Sequence, residues 1–189
     1  MVCGAGTPLL PIQLLWLNVV TDGFQDLALS LEGPEPDIMH EKPRSTKESL
    51  FTKSMVIQCS VMGVVIGLMV FGAWMIFLGA GMDIVIARSL VMTLMVFLQN
   101  VHAINCKSEK VSIFKMNLLA NWFFAVSVIA FVGLQILFME VESLSVLLEL
   151  SPVPYGLLFI LLAVSLVMFV IGEIYKIFVR KQAKKNLVV

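Results

Sequence analysis

Apolar residues run through this chain in long blocks of similar length, separated by short polar stretches. Five blocks can be drawn, over residues 9–31, 55–78, 85–105, 117–139 and 155–179. Each is about 20 to 25 residues long, enough for a helix to cross a hydrocarbon core of about 30 Å. The pattern predicts an all-α membrane protein, a bundle of five transmembrane helices. Pro152 and Pro154 mark the entry to the fifth block. Asp83 and Arg88 lie at one end of the third, where a long basic side chain reaches the interface.

The first block differs from the others. Its middle holds Asn18, Thr21, Asp22, Gln25 and Asp26. On a regular helix with Asn18 at zero, Thr21 falls at about −60°, Asp22 at about 40°, Gln25 at about −20° and Asp26 at about 80°. All five then share one face, with Leu14, Leu15, Leu17, Val19 and Val20 covering most of the rest. A carboxylate near the centre of a membrane helix costs about 2.5–3.5 kcal/mol, whereas a leucine returns only about 0.5 kcal/mol. Two carboxylates kept at that cost imply an ion or proton site facing a bundle interior. Asn18 and Asp22 stand four residues apart with Thr21 alongside. Their amide, carboxylate and hydroxyl oxygens are the donors a hard cation takes. Gly23 allows a local break in the helix that would free backbone carbonyls as further ligands.

Composition agrees with the membrane class, at 59% hydrophobic and only 14% charged residues. Net charge is zero, yet its distribution is uneven. Lys42, Arg44, Lys47 and Lys53 lie between the first two blocks, and Lys107, Lys110 and Lys115 between the third and fourth. Lys176, Arg180, Lys181, Lys184 and Lys185 close the chain. Only Arg88 falls on the opposite side, where residues 140–154 carry Glu140, Glu142 and Glu149. The positive-inside rule then places the N-terminus outside and the C-terminus in the cytoplasm, in a plasma or cytoplasmic membrane. No basic region precedes the first apolar run, so no cleaved signal peptide is expected. Cys3, Cys59 and Cys106 have neither metal nor redox spacing. No stretch between blocks is long enough for a soluble domain, and there is no Gly-rich phosphate loop or nucleophile–base pair.

The run PIQLLWLNVVTD from Pro11 to Asp22, followed by Gly23, PEPDIM and Pro43-Arg44, resembles the sixth transmembrane helix and following loop of type-II P-type cation-transporting ATPases. Among these it most resembles the calcium pumps. The later blocks are similar to that family's seventh to tenth helices in order and length. Residues 1–189 therefore read as a single C-terminal transmembrane domain of such a pump. The resemblance implies that Asn18, Thr21 and Asp22 are ion ligands and that calcium, or another cation, is the cargo. For the loop from Glu32 to Arg44, coupling to a phosphorylated domain and a plain solvated linker stay equally open.

Three departures qualify the likeness. Gln99, in the run FLQNVHAIN, stands where two-calcium pumps have a glutamate, which points to one divalent ion per cycle or a different cation. Gln25 and Asp26 replace the family's usual proline and small residue. Gln25, Asp26 and Gln99 are thus candidates for an additional ion or proton site; manganese, sodium, potassium and protons stay open as cargo. Finally, the phosphorylated D-K-T-G motif, the nucleotide-binding and actuator domains and the first five helices are not in this sequence. The chain alone is not expected to use ATP and Mg, and its implied partners are that N-terminal part of the pump and the lipid bilayer.

The remaining features read as structure. Gly63, Gly67 and Gly72 are expected to support close helix packing, and His102 to pack or hydrogen-bond. Glu173 and Lys176 are expected to pair, and the basic tail from Arg180 to Lys185 to meet anionic headgroups, with no nucleic acid involved. The alternative reading is a free-standing membrane subunit with a structural or regulatory role. An intramembrane aspartyl protease is disfavoured, because Asp22 and Asp26 lie on one helix and cannot meet across a cleft.

Overall fold

The computed structural model describes residues 6–33, 53–108 and 121–186. The predicted PEPDIM loop, Cys3 and the lysines at 42, 47, 110 and 115 lie outside those residues. All regular structure among the described residues is helical. The first block runs as α1 (Pro11–Trp16), a π-helical segment (Leu17–Gly23) and α2 (Phe24–Ser30). Then come α3 (Lys53–Gly79), α4 (Ile84–Cys106), α5 (Trp122–Glu140), the short α6 (Glu142–Leu147), α7 (Tyr155–Ser165) and α8 (Val167–Asn186).

Four of the expected spans are helices long and apolar enough to cross a membrane: Met55–Gly79, Ile84–Cys106, Trp122–Glu140 and the α7–α8 pair over Tyr155–Phe178. The polar first block is also built from pieces. It is continuously helical from Pro11 to Ser30, but the hydrogen-bonding pattern changes between Leu17 and Gly23.

α4 is the central post. In its apolar 18-residue stretch 67% of residues are buried, against 17% in that of α3, because the other elements wrap around it. Leu90, Val91, Leu94, Leu98 and Val101 of α4 meet Met62, Val70 and Trp74 of α3, Leu158 and Leu161 of α7, and Met168 of α8. A helix buried all round must satisfy its polar side chains internally. Ser89 does so by donating to the Val85 carbonyl (2.9 Å) and accepting the Ser151 N–H (2.8 Å).

Local chemistry sets the helix ends. Asp83 caps α4 by accepting the Val85 N–H at 2.8 Å, and Asn121 caps α5 by accepting that of Phe124 at 3.0 Å. α3 stops at Gly81, whose φ of +73° makes the left-handed turn. The Gly81 N–H reaches the Leu78 carbonyl and the Met82 N–H that of Phe77, which satisfies two carbonyls that the helix end leaves open.

One expectation changes here. Gly63 and Gly67 are exposed, and a Cβ added at either meets nothing within 4 Å, so among the described residues this stripe is not packed on a helix. α3 uses Met62, Val70 and Trp74 to meet α4 instead. The acidic connection after α5 carries structure of its own. It forms α6 and returns through buried Leu148, Leu150 and Val153, closing one end of the core.

Candidate ion site on the first helix

The π segment coincides with the motif LNVVTDG, Leu17 to Gly23. A π turn bonds i to i+5 and so takes up one extra residue, which turns everything downstream by roughly 100° against a regular helix. Gly23 itself stays helical (φ −60°, ψ −46°), so the expected break is replaced by a widened turn. Asn18, Thr21 and Asp22 all sit in this turn. Asn18 is exposed; the side chains of Thr21 and Asp22 lie outside the described residues.

The rotation divides the predicted polar face. Asn18 and Gln25 would have pointed almost the same way on a regular helix, yet Asn18 is exposed and Gln25 is buried. Gln25 Nε2 donates to Asn100 Oδ1 of α4, and Asn100 Nδ2 donates to the Val96 carbonyl at 2.8 Å. Asp26, the next residue, is exposed. Gln99 is half-buried on a different side of α4, where it lines a cavity of about 410 Å³ with Cys59, Gly63, Gly67 and His102. The fold thus joins Gln25 to Asn100. His102 Nε2 lies 3.6 Å from the Cys106 sulfur one turn on, in agreement with a packing role. Cys59 and Cys106 are exposed.

Both ends of the first helix are held. Gln13, fully buried, accepts the Leu10 N–H (2.9 Å) and donates to the Leu148 carbonyl (2.9 Å). Trp16 stacks at a tilt on Phe138 with ring centroids 4.0 Å apart, and Phe24 meets Phe131 at 6.1 Å. Between these anchors Asn18 and Val19 are open. The arrangement is a helix held at both ends, with a widened turn between in which Asn18, Val19 and Gly23 are exposed.

The sequence reading overlooked several buried amides. Gln135 of α5 is fully buried, with Nε2 3.3 Å from the Thr93 hydroxyl and its Oε1 without a partner. Asn105 of α4 donates to the Met168 carbonyl at 3.0 Å, beside the break between α7 and α8 at Leu166. The cost argument applied to the aspartates would have found Gln135, a lone amide deep in the apolar run WFFAVSVIAFVGLQILFME. Among the described residues no three His, Cys, Asp or Glu side chains converge as a metal site.

Comparison with known proteins fits this architecture. The family described as "Cation transporting ATPase, C-terminus" matches residues 6–178. The chain is 30% identical to calcium-transporting ATPase 1 of Bacillus cereus over 97% of its own length and 22% of that protein. It is 35% identical to a calcium-transporting ATPase of Bacillus subtilis over 60% of this chain and 13% of that one. It is 26% identical to human calcium-transporting ATPase type 2C member 1 over 94% and 19% respectively. The chain therefore spans about a fifth or less of these relatives. With the four apolar helices, the matches make it an integral, multi-pass membrane protein.

Proposed function

The chain belongs to the cation-transporting ATPase C-terminal family, and on that premise we propose that residues 1–189 serve as one C-terminal membrane domain of an ATP-driven calcium pump. The observation that carries this reading is the π turn at LNVVTDG, the stretch where the polar residues concentrate. A π turn leaves backbone carbonyls off their usual partners, and carbonyl, amide and carboxylate oxygens together suit calcium. Asn18, Thr21 and Asp22 are the ion ligands of this reading. Gln25, engaged by Asn100, braces them, while Asp26 is the group that carries a proton or a second ion. Gln99, on α4, remains the further candidate for that additional ion or proton site.

Calcium is the proposed cargo because the relatives quoted above are calcium-transporting ATPases. The remaining ligands come from the N-terminal part of the pump, which also holds ATP, Mg and the phosphorylated aspartate. The domain is oriented with its N-terminus outside, and lipid covers its outward apolar residues. The test uses the complete pump in sealed vesicles. Asp22→Asn abolishes calcium uptake while the protein stays folded and membrane-inserted; uptake at the normal rate and affinity would refute the assignment. The 189-residue chain alone shows no calorimetric calcium site tighter than about 1 mM, because one helix cannot supply the six or more oxygens calcium takes.

A further inference from the structure

The first helix ends at a junction that neither its motif nor its hydrophobic pattern requires. Lys107, just past the end of α4, has a side chain with 0% exposure, and its Nζ lies 3.3 Å from Glu32 Oε1. The same ammonium stands 5.5 Å from the Phe124 ring centroid of α5. The other oxygen of Glu32 accepts from Asn121 Nδ2 at 3.1 Å, and that amide also donates to the Ala28 carbonyl at 2.9 Å. Asn121 Oδ1 at the same time caps α5 through the Phe124 N–H. Ala28 belongs to the last turn of α2, where carbonyls lack helical partners, so Asn121 supplies a bond the helix cannot make for itself.

We infer that Lys107, Glu32 and Asn121 form a clamp that positions the ion helix, holding the end of α2 against α4 and α5 so that its movement is confined to the π turn. Sliding or rotating α2 would part a buried ammonium from its carboxylate and orphan the Ala28 carbonyl together, a strongly unfavourable combination. One turn away, the Gln25–Asn100 bond opposes the same rotation. With the far end pinned through Gln13, displacement has one place to go. Lys107 and Glu32 are therefore positioning residues, acting on the ion through the register of Asn18 to Asp22. This inference rests on the ion-helix reading above.

The complete pump in vesicles provides the test, through four variants: Lys107→Gln, Glu32→Gln, the two combined, and Lys107→Arg. The calcium concentration for half-maximal ATPase is read on the folded fraction, separately from the maximal rate. Each single neutralisation is expected to raise it about tenfold. The combined variant is no worse than the worse single one, because the two act through one contact. Lys107→Arg stays within about twofold, since guanidinium can pair with Glu32 and lie over Phe124 as well. A merely structural role would lower the folded yield and leave the calcium dependence alone. Glu32→Gln, at the partly exposed partner, keeps the test available if Lys107→Gln does not fold. Unchanged calcium dependence in the folded single variants, or effects that simply add, would overturn the clamp. A silent Asp22→Asn would instead overturn the ion-helix reading, so the two failures are told apart.

Discussion

At Gly172 the backbone of α8 passes so close to α4 that a Cβ there would stand 2.7 Å from the Asn105 amide. Asn105 is buried and already committed to the Met168 carbonyl, so it has no room to yield. Gly172→Ala should destabilise the protein by about 1–3 kcal/mol in detergent unfolding, the usual cost of overpacking. Asn105→Ala in the same chain should make that loss less than additive. Gln135 calls for the opposite expectation. Its Oε1 is buried without a partner, and Thr93 keeps its bond to the Ser89 carbonyl (2.8 Å) when the amide is gone. Gln135→Leu is therefore expected to change stability by no more than about 1 kcal/mol, with thermal unfolding as the measurement. Gln135 stands out in the sequence as a lone amide in an apolar run, whereas Gly172 was legible only as a glycine until its neighbour was known.

Among the elements, the π turn decides most. It lets Asn18 and Gln25 point to different surroundings although their spacing on a regular helix would align them. Deleting Val19, exposed within the segment, should restore regular helical bonding and turn α2 by roughly 100°, withdrawing Gln25 from Asn100. Helical content by circular dichroism should be unchanged, whereas calcium-dependent turnover of the complete pump should be lost. Retained turnover would mean that the widened turn is not needed. The sequence showed that this helix was unlike the others, through the cost of Asp22 and Asp26 among leucines. It could not show the form of the irregularity, because Gly23 permits a break and a π turn equally well, and packing at Gln13, Trp16 and Gln25 selects the latter.

For the whole molecule, the distribution of charge leads to a prediction about orientation. In a cysteine-free background, Glu142→Cys should react with a membrane-impermeant maleimide added outside intact cells. Lys181→Cys should react only after permeabilisation. The reverse pattern would invert the bundle and place the Glu32–Lys107 clamp on the outer side.

The sequence alone determined that this is a helical membrane protein, where its apolar helices lie within a few residues, and which segment is polar. Those properties follow from length, hydropathy and charge, which act locally and add along the chain. The likeness to cation pumps was legible for the same reason, since PIQLLWLNVVTD is a contiguous run. Only the tertiary structure decided which polar groups meet: Gln25 with Asn100 rather than Gln99, Glu32 with Lys107, and Asn121 with Ala28. Those contacts join residues 75 to 93 positions apart. They depend on the azimuth of each helix about α4, which a one-residue change in winding resets and no local pattern records.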